Sequence, residues 1–278
     1  MGQLIRRVAL GGGSASRLLT LFSGRAIPAP AWVTHDLWAS WLLDEGTGDT
    51  AADSSGNGRD LTLENGWGAG DTWDPEWVAE GLSWAKQSGG LCRQFTWTNA
   101  APNVSAGYTF EVAFLATTGA PYARTGLLNV APTYSPVDDI SGDLFLHYFN
   151  YGTPVIGWVL VHNQSGTPDE IHWAWTYDTA AWHLLQLTYT PPVAPATQGT
   201  AELYIDGTSL GAQLIDVPDL TGCVNTMLGN GWPRVGWWGR LAAGRIFTVA
   251  LSVAELAAEE VMFASLLEGR GVASPFPE

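Results

Sequence analysis

Apolar and polar positions change rhythm at Trp38. Beyond it, short runs rich in aromatic and β-branched residues are separated by clusters of Gly, Pro, Asn, Asp, Ser and Thr, the pattern of an antiparallel all-β chain. The runs predict strands at 37–43, 59–63, 108–116, 125–130, 143–149, 155–162, 170–176, 182–190, 200–205 and 243–250. Ten strands exceed what one half-solvated sheet usually holds, so two packed sheets are expected. Ala201-Glu202-Leu203-Tyr204-Ile205 alternates and runs into Asp206-Gly207, a hairpin turn whose two central positions need positive φ. One helix is predicted. Ser252 stands as its N-cap with Glu255 three residues later, a capping box, and the pattern carries it to about Leu267.

Outside these runs the texture differs. Residues 1–31 join Gly11-Gly12-Gly13-Ser14-Ala15-Ser16 to the apolar Leu18-Leu19-Thr20-Leu21-Phe22 and then Pro28 and Pro30, which reads as an extended arm with one sticky patch. The stretch at about 64–104 holds Trp67, Trp73, Trp77, Trp84 and Trp97 among many Gly, Asp and Asn residues, with weak periodicity, and reads as an elaborate loop region or an insertion. No repeat recurs at a fixed period, which disfavours a propeller or solenoid. The organisation expected is an arm at 1–31, a sandwich at 32–268 carrying the Trp-rich insertion, and a tail at 269–278.

Charge narrows the partners. The 278 residues are 46% hydrophobic and only 14% charged, with a net charge of -15. Residues 1–30 hold Arg6, Arg7, Arg17 and Arg25 and no acid, so the remainder has 8 of the 12 basic residues and all 27 acidic ones. An acidic body opposes nucleic acid and anionic membranes as partners. No apolar run approaches the roughly 18 residues of a membrane span. Arg6-Arg7 before Val8-Ala9-Leu10 has the start of a secretion signal, but Gly11–Gly13 and Arg17 interrupt the apolar stretch, so an intact arm is expected. The arm's Arg6, Arg7, Arg17, Leu18, Leu19, Leu21, Phe22 and Arg25 are its candidate partner-anchoring residues. Cys92 and Cys223 match no zinc spacing and cannot staple a small secreted scaffold; two buried thiols are favoured over one bridge.

Candidate chemistry is sparse. A retaining glycosidase needs two carboxylates about 5–5.5 Å apart; Asp138-Asp139 and Asp169-Glu170 are adjacent pairs, which point to opposite faces of a strand. His147, His162, His172 and His183 lack a metal-ligand spacing, and no nucleophile elbow, phosphate loop or dinucleotide fingerprint occurs. No catalytic residue and no resident metal are expected. Asp44, Asp49, Asp53 and Asn57 supply oxygens in Gly-rich turns that could suit calcium, with solvated turn acids as the competing reading. Asn103 and Asn163 begin short glycosylation-type triplets. Fifteen tryptophans invite stacking on sugar faces, although those on strands belong to the core. Trp73, Trp77 and Trp232, placed in loops, are the candidate ligand contacts.

Four segments carry a family resemblance. Trp41 through Gly58, ending Asp53-Ser54-Ser55-Gly56-Asn57-Gly58, is followed by Tyr108-Thr109-Phe110-Glu111-Val112-Ala113-Phe114. Then come Trp182-His183-Leu184-Leu185-Gln186-Leu187-Thr188-Tyr189 with Leu203-Tyr204-Ile205-Asp206-Gly207, and Arg245-Ile246-Phe247 leading to Ala254-Glu255. Together they resemble laminin G-like domains of the concanavalin A-like lectin-glucanase superfamily over about 37–260. The resemblance implies an antiparallel two-sheet jelly-roll sandwich. Ala242, Ala243 and Gly244 stand where that family usually has an acid, so it does not carry calcium binding with it.

Three function classes follow. The first is a non-enzymatic structural or interaction protein: a virion accessory or capsid decoration protein of a bacteriophage-like particle. In it the arm docks on other virion or assembly subunits and the sandwich is displayed on the virion surface, as a homo-oligomer. The second is a carbohydrate-binding adhesion module, extracellular or at a cell surface, that takes surface glycans. The third, a glycoside hydrolase, needs a carboxylate pair the sequence does not offer.

Overall fold

The computed structural model describes residues 31–63, 75–84, 95–98, 101–116, 125–131, 144–150, 156–164, 167–175, 181–218, 220, 223, 225–229, 239–273 and 275–276. The chain partitions into two units, 1–30 and 31–278; the first lies outside the described residues. Within the second, the elements are β1 (Leu37–Trp41), β2 (Thr50–Ala51), β3 (Leu61–Leu63), β4 (Glu76–Val78), β5 (Gly81–Trp84), β6 (Phe95–Thr98), β7 (Tyr108–Ala116) and β8 (Thr125–Ala131). They continue with β9 (Leu144–Asn150), β10 (Ile156–Gln164), β11 (Thr167–Trp175), β12 (His183–Thr190), β13 (Gln198–Ile205), β14 (Thr208–Asp216), β15 (Asn225–Leu228), β16 (Gly239–Phe247) and α1 (Val253–Gly269). Two antiparallel sheets result. The first has the order β14-β13-β12-β7-β16-β5-β4, and β1 pairs with β16 beyond the stretch that β5 occupies. The second has the order β11-β10-β9-β8-β15-β6-β3-β2.

Strand alternation decides what each face does. On β7, Tyr108, Phe110, Val112 and Phe114 enter the core between the sheets, together with Leu185, Leu187 and Tyr189 of β12 and Leu203 and Ile205 of β13. From the second sheet, Leu61, Val130, Ile171, Trp173 and Leu228 meet them. The opposite phase of the first sheet, Ala113, Leu184, Ala242 and Ala243, packs under Phe263 and Leu267 of α1, and small side chains there let the helix lie close. Central strands covered on both faces therefore lose the polar half of their alternation; β7 and β12 are buried almost throughout.

The expected two-sheet sandwich with a C-terminal helix is present. Asp206 and Gly207 take φ of 50° and 74°, the positive pair that a tight right-twisted hairpin requires. The capping box also forms: the Ser252 backbone N–H donates to Glu255 Oε2 at 2.7 Å, and the Glu255 N–H to Ser252 Oγ at 3.4 Å. The Trp-rich stretch is not simply a loop, because it supplies β4 and β5 to the first sheet and β6 to the second. Nor does the chain after α1 trail away. Arg270 donates to the carbonyls of Glu80, Ala242 and Leu42, and Val272 and Phe276 pack on the helix-side core.

Two indoles tie the sheets together at their ends. Trp173 Nε1 of β11 donates to Gly211 O of β14 at 2.8 Å, beside a 2.7 Å bond from Gln213 Nε2 to His172 O. At the opposite ends, Trp77 Nε1 of β4 donates to Gly48 O, in the turn before β2, at 2.8 Å.

Candidate functional site

The segment from Asp53 to Arg59 is built around one carboxylate. Asp53 Oδ1 accepts the backbone N–H of Ser40 at 3.0 Å and of Ser55 at 2.9 Å, and Oδ2 accepts that of Arg59 at 2.9 Å. Desolvation pushes the carboxyl upwards, but the bonds from Ser55, Ser40 and Arg59 outweigh it and hold it below its ordinary value. Asn57 Nδ2 spans to Leu37 O and Trp38 O. These two residues, weighed as calcium oxygens, pin the turn to β1. Among the described residues no group of three or more His, Cys, Asp or Glu side chains is arranged to hold a metal.

A second polar group lies beneath α1. The register aligns Tyr204, Gln186, Glu111, Arg245 and Ser40 in one row across the first sheet. Glu111, Gln186 and Glu259 are 0% exposed and Arg245 2%. Arg245 Nη1 donates to Glu259 Oε2 and Nη2 to Val33 O at 2.7 Å, while the Val33 N–H donates to Glu259 Oε1 at 2.5 Å. The guanidinium lies over the rings of Trp32 and Phe247, 4.5 and 4.9 Å from their centroids. Gln186 Nε2 donates to Glu111 Oε1 at 2.7 Å and to Leu256 O at 3.0 Å. Burial and the Glu259 charge push Glu111 well above the usual carboxylate range, against the Gln186 bond and the Arg245 charge. A group sealed this completely offers no substrate a way in; its work is to fasten helix, sheet and the segment 32–36.

That segment has an exposed clasp as well. His35 Nδ1 lies 3.0 Å from Asp36 Oδ2, and Nε2 lies 2.7 Å from Glu255 Oε1. The Asp36 bond, then the Glu255 bond, raise the imidazole above 6.5. Ser252 and then His35 hold Glu255 down at about 2. A raised His contributes stability that is complete below pH 6.5 and is lost as pH rises through its folded value. In an NMR titration His35 is expected to titrate above 6.5, and Glu255→Gln to bring it back towards that value. An unchanged midpoint in the variant would deny the clasp.

His183 is buried against the hairpin turn. Its Nδ1 is 2.7 Å from Asp206 Oδ2, Asp206 Oδ1 accepts the Leu184 N–H at 2.7 Å, and Trp175 and Phe114 pack on the ring.

The outer face of the second sheet differs from that of the first. Thr50, Thr62, His172 and Ala174 are exposed, while their strand neighbours Ala51, Leu61, Ile171 and Trp173 are buried. Among the described residues no helix packs on this face. The register places Thr50, Thr62, Thr96, Met227, Asn129, Phe145, Val161 and Glu170 in one transverse row. A second row holds Gly126, His147, Val159 and His172.

Of the three candidate ligand tryptophans, Trp77 is on β4 and not in a loop. It is half-buried against the main core, and its indole N–H is committed to Gly48. Trp73 and Trp232 lie outside the described residues, as do Arg6, Arg7, Arg17, Leu18, Leu19, Leu21, Phe22 and Arg25 of the arm. Cys223 is buried and Cys92 lies outside the described residues. The Glu111–Arg245–Glu259 group and the open face were both missed by sequence reasoning. For the former the signal was a lone Glu and a lone Gln at matching positions of two apolar strands.

No family model matches the chain, and no curated protein does. Solved structures do. Domain 4 of AbnA, an extracellular GH43 arabinanase from Geobacillus stearothermophilus held with arabinotriose, is 16% identical with a TM-score of 0.55. The match covers 81% of this chain and 98% of that one. Botulinum neurotoxin type C, whose cell entry depends upon interaction with two ganglioside molecules, matches at 15% identity and TM-score 0.50, over 84% of this chain and 52% of its own. Trypanosoma rangeli sialidase in complex with 2,3-difluorosialic acid matches at 16% and 0.53, over 85% and 34%. This chain thus spans nearly all of the arabinanase domain but about half or less of the toxin and sialidase chains. At such identities the shared property is the fold alone, an antiparallel β-sandwich.

Proposed function

We propose that the sandwich is a non-catalytic carbohydrate-binding module whose ligand lies on the open face of the second sheet. The asymmetry of the two outer faces carries this reading: α1 seals one, and exposed Thr50, Thr62, His172 and Ala174 mark the other. Eight strands spaced at about 4.8 Å make a surface roughly 34 Å across. Its rows combine Thr, Asn and His with Phe, types that hydrogen-bond sugar hydroxyls and stack on their apolar faces. The arabinanase domain, held with arabinotriose and matched over nearly its whole length, supports the same reading.

Glycan-array and calorimetric binding by the full chain test it. Val159→Arg, in the centre of the His172 row, is expected to weaken binding at least about tenfold, the size of a buried hot-spot contact. Ser265→Arg, on the exposed side of α1, should leave it unchanged. Circular dichroism confirms that both fold. Equal binding by the two variants would move the ligand off this face.

A second reading, display of the sandwich by a virion particle, draws on the clamped segment 32–36. Trp32 packs edge-on against Phe263 at 5.0 Å, and Val33 is bonded to both Arg245 and Glu259. Residues 32–36 are thereby held on the helix side of the sandwich, opposite the open face.

A further inference from the structure

Resting on the glycan reading above, we infer that the open face selects uncharged glycans and turns away chains bearing carboxylate or sulfate. The first ground is that the body's four basic residues among the described ones are all committed. Arg59 donates to Trp38 O at 2.7 Å and lies over the Trp38 ring. Arg240 pairs with Glu80 at 3.2 Å, Arg245 is sealed against Glu259, and Arg270 is spent on three backbone carbonyls. Lys86, Arg93, Arg124 and Arg234, the other basic residues after position 31, lie outside the described residues.

The second ground is where the acids fall. The transverse row of the open face starts beside exposed Asp49 and ends at Glu170. Exposed Asp60 precedes β3 at one side, and exposed Asp216 closes β14, whose neighbour β11 bounds the other. An anion approaching the face meets the exposed carboxylates of Asp49 and Asp60 at one flank and of Asp216 at the other, on a body where 27 acidic residues stand against 8 basic ones. The repulsion reaches about 30 Å at 0.01 M salt, nearly the width of the face, and only about 8 Å at 0.15 M. Discrimination by charge therefore has a salt signature that discrimination by shape lacks.

The experiment is an array of matched pairs, each neutral glycan printed beside its sialylated form, probed with the full chain at those two salt concentrations. The R6Q/R7Q/R17Q/R25Q variant is run in parallel so that the arm's charge is removed. The neutral member is expected to bind at least about tenfold better at low salt, the order that a few unit charges at ~10 Å produce in water. The ratio should shrink at 0.15 M and also narrow in D49N/E170Q. A preference for the sialylated member, or a neutral preference indifferent to salt and to D49N/E170Q, overturns the inference and leaves the glycan reading standing. If no member of any pair binds, the glycan reading fails and takes the inference with it.

Discussion

Arg245→Met is expected to lower the stability of the sandwich by about 3–5 kcal/mol, measured as a reduced urea midpoint at unchanged slope. Removing the guanidinium leaves Glu259 as an uncompensated charge at 0% exposure and takes the hydrogen bond from Val33 O. Replacing the pair together, as R245M/E259L, should recover part of the loss, because a buried ion pair exchanged for apolar groups of similar volume is often near neutral. Recovery should stay incomplete. Half-buried Val33 would keep a backbone N–H and a C=O that had been bonded to the pair, and a group left unsatisfied costs up to about 1–3 kcal/mol where water cannot reach it. A double variant as stable as the parent would mean that segment 32–36 finds other partners. A single variant within 0.5 kcal/mol of the parent, the ordinary range for surface changes, would show that the pair is not sealed.

Glu111→Gln is expected to stabilise the protein, and increasingly so as pH rises. The folded value of Glu111 lies well above the ordinary 4.5 because of burial and the nearby Glu259 charge. In the unfolded chain the carboxyl ionises as pH passes 4.5, while in the folded chain it keeps its proton. The stability this group confers is therefore complete below pH 4.5 and is lost as pH climbs through the folded value. Glutamine has the same shape, can still accept from Gln186 Nε2, and has no proton to lose. Its advantage should be near zero at pH 4. It should grow by about 1.4 kcal/mol for each pH unit above 4.5, levelling off only at the folded value of Glu111. Urea titrations of parent and variant from pH 4 to 8 measure it directly; parallel stability curves would show that Glu111 titrates normally.

What the sequence made legible were features written in contiguous residues. The strand at 108–116 was read at its observed bounds, Asp206-Gly207 as a positive-φ turn, and Ser252 with Glu255 as a capping box, since each depends on neighbours within a few positions. Strand β14 escaped because it lies at a sheet end and exposes most of its side chains, so its apolar alternation is faint. Strands β4 and β5 are only three and four residues long, below the window in which a period can be seen. Arg245 and Glu259 sit 14 residues apart but on different layers, and no local pattern predicts which of the two outer faces a helix will cover. The open face was hidden for that reason, although every residue on it was in view.

Trp77 shows the same limit from the other side. Its flanking Gly, Asp and Pro residues suggest an exposed loop, whereas its hydrogen-bond partner is 29 residues away.

The two indole ties have a bearing on how a protein with only 14% charged residues and a single lysine guards its sheet edges. Sheet edges are templates for intermolecular pairing, and natural proteins blunt them with lysines, prolines or inward charges. Strand β14 has a single charged residue, Asp216, among nine, so that defence is thin. Instead the terminal strand of each sheet is bound to the other sheet's border, through Trp173 to Gly211 at one end and Trp77 to Gly48 at the other. The sandwich is thus hemmed like a cloth, with few loose selvedges for a neighbouring chain to add to. Copies crowded side by side can then remain separate molecules without growing into a shared fibril.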